Sequence, residues 1–100
     1  MTTHELEAML AQGLLTLDEL CRASAVSPEW VRQRLDAGLL PAPPQAVGPW
    51  RFDAVMLRRV RCMRALERDF DAVPELAALV ADLQDELDRL RARLHRAGLD

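Results

Sequence analysis

The chain is poor in aromatic residues and in cysteine. It contains no tyrosine, two tryptophans and two phenylalanines, although half of its residues are apolar. A β-sandwich core is usually rich in aromatic and β-branched side chains, so this composition favours helices packed through leucine, alanine and valine. Cys21 and Cys62 lie at helical apolar spacings without a neighbouring Cys or His, which indicates buried small side chains rather than a disulfide or metal site. We therefore expect an all-α protein.

Long hydrophobic runs and catalytic motifs are also lacking. No apolar stretch approaches the roughly 18 residues that span a bilayer, and Glu5 and Glu7 stand where a signal peptide would carry basic residues. We therefore expect a soluble, cytoplasmic protein with no membrane contact. No nucleophile–His–acid set, glycine-rich phosphate loop or metal-ligand cluster is present, and His4 and His95 lie near opposite ends. The sequence predicts no enzyme activity, catalytic residue, metal or cofactor.

Lysine is absent, and the overall charge is negative. All 13 basic residues are arginine, and 16 acidic residues outnumber them, which gives a net charge of −3. Proteins dedicated to DNA usually have the opposite balance, because neutralising phosphates supplies much of their affinity. The charge therefore argues against DNA as a partner.

Capping signals predict three short helices near the N-terminus. Two Thr-x-x-Glu capping boxes predict helices over residues 3–12 and 17–23. The boxes are Thr2 with Glu5 and Thr16 with Glu19. Ser27 then caps a helix that has Pro28 at its first position and ends before Gly38. The second and third helices, about four residues apart, are typical of a helix-turn-helix.

A proline-rich segment separates these helices from a longer one. Residues 39–49 hold four prolines, so they form a loop or a short wing rather than a helix or central strand. Asp53 caps the next helix, over residues 54–69. Apolar residues recur every three or four positions in this helix and predict a buried stripe. The stripe consists of Leu57, Val60, Met63, Leu66 and Phe70.

Two features of these helices allow more than one interpretation. Trp30 is either a binding anchor or a packing residue that stacks on Arg34, and we favour packing. Arginines on the side opposite the buried stripe either contact phosphate or form a solvated face balanced by Glu67 and Asp69. These arginines are Arg58, Arg61, Arg64 and Arg68.

The last helix, predicted from Pro74 to about Ala97, carries an apolar heptad pattern. One core position is occupied by Val73, Val80, Leu87 and Leu94, and the other by Leu76, Leu83, Leu90 and Ala97. This pattern predicts a homodimer formed by a coiled-coil-type helix. The expected dimer interface is Val80, Leu83, Leu87, Leu90 and Leu94. The alternative is a helix that folds back on its own head through Leu76, Leu79 and Leu83.

Charge order along this helix bears on the orientation of a dimer. Acidic residues occupy its middle and arginines its end, so antiparallel copies would place each acidic block along the other copy's basic block. The acidic block is Asp82, Asp85, Glu86 and Asp88, and the basic block is Arg89, Arg91, Arg93 and Arg96. We expect residues 1–72 to form a head and residues 73–98 a dimerisation helix.

Residues 15–70 resemble the MerR family of winged helix-turn-helix regulators. The matching segments are Thr16-Leu17-Asp18-Glu19-Leu20, Val26-Ser27-Pro28, Gly38-Leu39-Leu40, Trp50-Arg51-Phe52 and the arginine-rich stretch that begins Leu57-Arg58-Arg59-Val60. The resemblance implies a helix-turn-helix head with a wing, and DNA binding as one possible function. The sequence departs from the family at Arg32-Gln33-Arg34, where MerR proteins have Arg-Tyr-Tyr, and its wing carries no basic residue. These departures weaken the case for DNA binding.

Within this superfamily the chain most resembles the CbpM family of chaperone modulators. The shared features are the chain length, Trp50-Arg51-Phe52-Asp53 before an arginine-rich helix, and Val73-Pro74 opening a long helix. The resemblance implies binding to the J-domain of a CbpA-like or DnaJ-like co-chaperone and inhibition of its stimulation of DnaK. J-domains resemble one another in having a basic second helix, so we expect the partner-binding residues to be the acids around Val73, which we expect to be exposed. This set is Asp69, Asp71, Val73, Glu75 and Asp82; the N-terminal acids are an alternative contact.

Overall fold

The computed structural model describes residues 2, 4, 14–43, 45 and 47–99. This part of the chain holds four helices and one isolated β-bridge, so the expected all-α class is confirmed for it. The helices are α1 (Leu17–Ser24), α2 (Pro28–Asp36), α3 (Ala54–Phe70) and α4 (Pro74–Arg96). The helix expected over residues 3–12 falls almost entirely outside the described residues.

Side-chain caps start the first three of these helices. The Thr16 hydroxyl accepts a hydrogen bond from the Glu19 amide at 3.1 Å, and the Glu19 carboxylate accepts one from the Thr16 amide at 2.8 Å. This reciprocal pair is the predicted capping box. Ser27 and Asp53 each accept a hydrogen bond from the amide three residues further on, at 3.0 and 2.9 Å. The caps predicted from the sequence therefore set the starts of α1, α2 and α3.

The proline-rich segment between α2 and α3 closes on the start of α1 through backbone hydrogen bonds. The amide of Leu15 donates to the Phe52 carbonyl and the amide of Phe52 donates to the Leu15 carbonyl, both at 2.8 Å. Phe52 is 2% exposed, and the ring of Trp50 packs against it edge-on, with the centroids 6.1 Å apart. The loop is thus tied into the core at its C-terminal end.

The core lies between α1, α2 and one face of α3. Its largest fully buried side chains are Phe52, Leu15, Leu20, Met63, Val31 and Val60. The apolar stripe predicted for α3 is buried at Leu57, Val60 and Met63. The prediction was wrong for Phe70, which is 76% exposed. The chain reverses at Asp71, so α4 packs back along the earlier turns of α3 and leaves its last turn uncovered.

The long helix α4 packs on α3 through alanines. Ala77, Ala78 and Ala81 are 0%, 5% and 2% exposed. Small side chains let the two helix axes approach closely. The alternative interpretation was that α4 folds back on the head through its leucines. It is wrong about which face of α4 makes the contact, because Leu76 and Leu83 are 50% and 58% exposed. None of the helices within the described ranges is long and apolar enough to cross a membrane.

Candidate docking site between the two long helices

The joint, which we define as residues 69–76, connects α3 to α4. Asp71 follows the last residue of α3 in the left-handed conformation, with φ 56° and ψ 31°. Aspartate tolerates this region better than most residues with a β-carbon. The Ala72 amide donates to the Leu66 carbonyl at 3.2 Å and closes the helix end. These features reverse the chain and place the end of α3 beside the start of α4.

Three apolar side chains of the joint are exposed. Phe70, Val73 and Leu76 are 76%, 60% and 50% exposed. Isolated apolar residues are common on protein surfaces, but a group of them that includes an aromatic ring is typical of a protein-binding surface. Phe70 was predicted to be buried because its spacing continues the apolar stripe of α3. The sequence does contain a signal against this burial. Pro74 lies four residues after Phe70 and indicates that α3 ends here, so no further turn of the helix continues the buried stripe.

Three of the predicted partner-binding acids belong to the same segment of the chain as these apolar residues. Asp69, Asp71 and Glu75 are all exposed. Asp69 accepts a hydrogen bond from the neighbouring Arg68 guanidinium at 2.7 Å, which lowers the pKa of the Asp69 carboxyl. Asp71 and Glu75 have no side-chain partner within the described ranges. The joint therefore combines exposed apolar side chains with free carboxylates.

Asp82, the remaining predicted contact residue, has a different setting. Its carboxylate accepts a hydrogen bond from Arg59 of α3 at 2.6 Å. Arg59 also donates to the Leu39 carbonyl at 3.1 and 2.9 Å, and its side chain is only 10% exposed. Arg59 thus links the loop after α2, helix α3 and helix α4. Asp82 belongs to this internal contact, although 64% of its side chain stays exposed.

Four arginines were predicted on the side of α3 opposite its buried apolar stripe, and three of them form hydrogen bonds within the molecule. Arg61 donates to the Ala23 carbonyl at 3.0 and 2.8 Å, and Arg64 donates to the Ala25 carbonyl at 2.8 Å. These carbonyls end α1, where a cation also interacts favourably with the helix dipole. Of these four arginines, Arg58 alone has no hydrogen-bond partner in the described part of the chain. Arg61 and Arg64 therefore have a structural role that neither interpretation included. Arg68 instead pairs with Asp69, as the solvated-face interpretation predicted.

Arg34 is held between an aromatic ring and a carboxylate. Its guanidinium lies 4.0 Å from the centre of the Trp30 ring and 2.5 Å from the Glu67 carboxylate. The Arg34 and Glu67 side chains are only 11% and 17% exposed. The packing role predicted for Trp30 is confirmed, because its ring lies against the core and under Arg34. This arrangement removes one arginine of α2 from the surface.

The residues expected to form a dimer interface lie along the outer side of α4. Val80 is half-buried, and the four leucines are 42% to 58% exposed. These leucines are Leu83, Leu87, Leu90 and Leu94. They are available to a partner, whereas the alanines on the other side are not.

The two cysteines lie on different helices, Cys21 on α1 and Cys62 on α3. Cys21 is buried and Cys62 half-buried, and both are free thiols. Burial raises the pKa of each thiol. Within the residues that the structure describes, no three His, Cys, Asp or Glu side chains cluster as metal ligands would.

Comparisons with known proteins add no relative to this description. The chain matches no protein-family model, and no curated protein or solved structure is significantly similar to it.

Proposed function

We propose that the protein is a chaperone modulator that binds the J-domain of a CbpA-like or DnaJ-like co-chaperone and inhibits its stimulation of DnaK. The observation that carries the proposal is the joint, where exposed Phe70 and Val73 stand among Asp69, Asp71 and Glu75. The resemblance to the CbpM family supplies the class of partner. The joint supplies a surface that suits the basic second helix of a J-domain.

The two kinds of side chain in the joint would serve different steps of binding. The carboxylates attract a basic surface and raise the association rate, but exposed ion pairs contribute little affinity. Affinity comes mainly from a few well-buried anchors, among which aromatic side chains are common. Phe70 is the best anchor of the joint because most of its ring is exposed in the free protein. An inhibitor that covers the J-domain surface needed by DnaK requires no catalysis of its own.

The alternative is a DNA-binding transcriptional regulator of the MerR type. The order of α1, a turn, α2 and a loop favours it. The use of arginine disfavours it, because Arg34, Arg61 and Arg64 are bound to groups within the molecule. Contacts to phosphate need free cations, so we rank this function second.

Replacing Phe70 with alanine tests the anchor. We expect binding of the J-domain to weaken by roughly 30-fold, about 2 kcal/mol, mainly through faster dissociation. Calorimetry with the J-domain of the organism's own CbpA-like protein measures the affinity. The control is Val47→Ala, which removes a 92% exposed apolar side chain from the loop outside the joint. Circular dichroism should show unchanged helix content in both variants, and equal affinities would remove Phe70 from the site.

Neutralising the joint tests the steering role of its acids. Asp69→Asn, Asp71→Asn and Glu75→Gln remove three charges, and asparagine at position 71 remains compatible with the left-handed backbone. We expect slower association and a weaker dependence on salt, with helix content unchanged. The variant should also inhibit J-stimulated ATP hydrolysis by DnaK less than the wild type, with the basal rate unaffected. An unaltered association rate would move the contact to the N-terminal acids.

Two results would overturn the proposed function. One is the absence of both heat with the J-domain and inhibition of J-stimulated ATP hydrolysis. The other is nanomolar, sequence-selective binding to DNA at about 150 mM salt, which would establish the transcriptional alternative.

A further inference from the structure

A cleft lies between the start of α1, helix α2 and the end of the loop that follows α2. Residues 16–18, Arg32 and residues 48–51 line it, and its volume is about 480 Å³. This volume falls within the roughly 300 to 1,000 Å³ that is typical of sites for small molecules. None of the lining residues belongs to the joint, so the proposed J-domain contact assigns the cleft no role.

The two arginines of the cleft keep hydrogen-bond donors free for a ligand. Arg32 is exposed and makes no hydrogen bond or ion pair with the described residues. The Arg51 guanidinium donates to the Trp50 carbonyl at 3.2 Å, and the Arg51 amide donates to the Gln45 side chain at 3.1 Å. These bonds hold Arg51 to the loop and leave most of its guanidinium N–H groups without a partner in the described part of the chain. Arginine presents such groups in a planar fork that fits the two oxygens of a carboxylate or a phosphate.

Trp50 adds an apolar wall beside these cations. It is half-buried, and its edge-on contact with buried Phe52 fixes the ring against the core. An aromatic wall of this kind favours a ligand with a flat apolar group, which can stack on the indole. The cleft therefore combines a site for an acidic group with a site for a ring.

Asp18 limits how much negative charge the cleft can accept. It is exposed and forms no ion pair with Arg32 or Arg51, so two positive groups and one negative group line the same space. A single acidic group can pair with the arginines, whereas the successive phosphates of a DNA strand would have to accommodate this carboxylate as well. The net charge of −3 acts in the same direction. The balance favours a small acid over nucleic acid.

We propose that this cleft binds a small organic oxyanion that carries a flat apolar group. Its acidic group pairs with Arg32 and Arg51, and its flat group packs on Trp50. A carboxylic acid and a phosphate monoester both supply this chemistry. Indole-3-acetate and AMP are the probes for these two sources. Indole-3-ethanol and adenosine are their matched controls, because they keep the ring and lack the charge.

Nuclear magnetic resonance of the ¹⁵N-labelled whole chain tests the binding. The chain has two tryptophans, so two indole N–H signals report on different places. We expect at least one probe to shift the Trp50 signal with a Kd below about 1 mM, and the neutral compounds to bind at least about tenfold more weakly. Trp30 lies under Arg34 and does not line the cleft, so its signal is the internal reference. Indole-3-acetate binding alone identifies a carboxylate site, and AMP binding alone a phosphate site. No shift up to about 10 mM, equal shifts of both tryptophans, or equal binding of the neutral compounds would overturn the proposal.

Replacing the exposed arginine tests how the acidic group is held. Arg32→Met should weaken binding of the probe by about tenfold, because it removes a charged donor. Arg58→Met is the matched control, since Arg58 is also exposed and without a hydrogen-bond partner among the described residues, but lies on α3 outside this cleft. Equal binding by Arg32→Met and the wild type would overturn the proposal.

A short DNA duplex tests the competing occupant. If it shifts the Trp50 signal at a lower concentration than both small probes at about 150 mM salt, the cleft is a nucleic-acid contact and the proposal is wrong. None of these measurements involves a J-domain, so their outcome is independent of the proposed chaperone function.

Discussion

Arg59 is the residue whose replacement should most disturb the seating of α4 on α3. Its side chain is 10% exposed and donates two hydrogen bonds to the Leu39 carbonyl and one to the Asp82 carboxylate. Arg59→Met retains much of the aliphatic stem and removes all of these donors. The carbonyl of Leu39, a half-buried residue, then loses its guanidinium partner.

The expected cost follows from the setting of each contact. Losing charged donors to a partly buried carbonyl costs about 2 kcal/mol. The ion pair to Asp82 adds less than about 1 kcal/mol, because the carboxylate is 64% exposed and screened by water. We therefore expect Arg59→Met to lower the free energy of unfolding by about 2 to 3 kcal/mol.

Urea unfolding followed by circular dichroism measures this cost. Asp82→Asn removes only the ion pair and should cost at most about 0.5 kcal/mol. Arg58→Met is the matched control, because Arg58 is exposed and has no hydrogen-bond partner among the described residues. It should change stability by less than about 0.5 kcal/mol. The reasoning fails if Asp82→Asn costs as much as Arg59→Met, or if Arg59→Met behaves like the control.

Three further predictions concern α1 and the thiols. Ser24 is 5% exposed and its hydroxyl has no hydrogen-bond partner in the described structure, so Ser24→Ala should raise stability by about 0.5 kcal/mol in the same urea assay. The hydrogen bonds between Glu19 and Thr16 lower the pKa of the Glu19 carboxyl. Because the folded-state pKa is below the unfolded one, the stability from this charge is present above the unfolded value of about 4.5. It is lost as the pH falls through the lower folded value, so Glu19→Gln should flatten the acid side of the stability profile. The raised pKa values of Cys21 and Cys62 leave less thiolate, so both should react more slowly with Ellman's reagent at pH 8 than in unfolded protein.

The starts of the described helices could be predicted from the sequence because their signals are local. Thr16, Ser27 and Asp53 each act on an amide only three residues away. A capping interaction of this kind needs no knowledge of the tertiary fold. The all-helical class followed from composition and from the same local signals.

The face through which α4 packs could not be predicted in this way. The leucine heptads are the strongest apolar signal in α4, yet the alanines are the residues in contact with α3. The face of α4 that packs on α3 depends on the space available beside α3 and on the contact between Arg59 and Asp82. These two residues are 23 positions apart in the sequence. The exposure of Phe70 has the same origin, because it depends on where α4 covers α3 rather than on the spacing within α3.

The alanine contact also explains how one helix can offer two separate surfaces. Because Ala77, Ala78 and Ala81 seat α4 on α3, the chain's own core needs neither the apolar side chains of the joint nor the exposed leucines of α4. These leucines are Leu83, Leu87, Leu90 and Leu94. The predicted dimer interface begins at Val80, whereas the joint ends at residue 76. The predicted dimer contact and the proposed J-domain contact therefore use different parts of the chain.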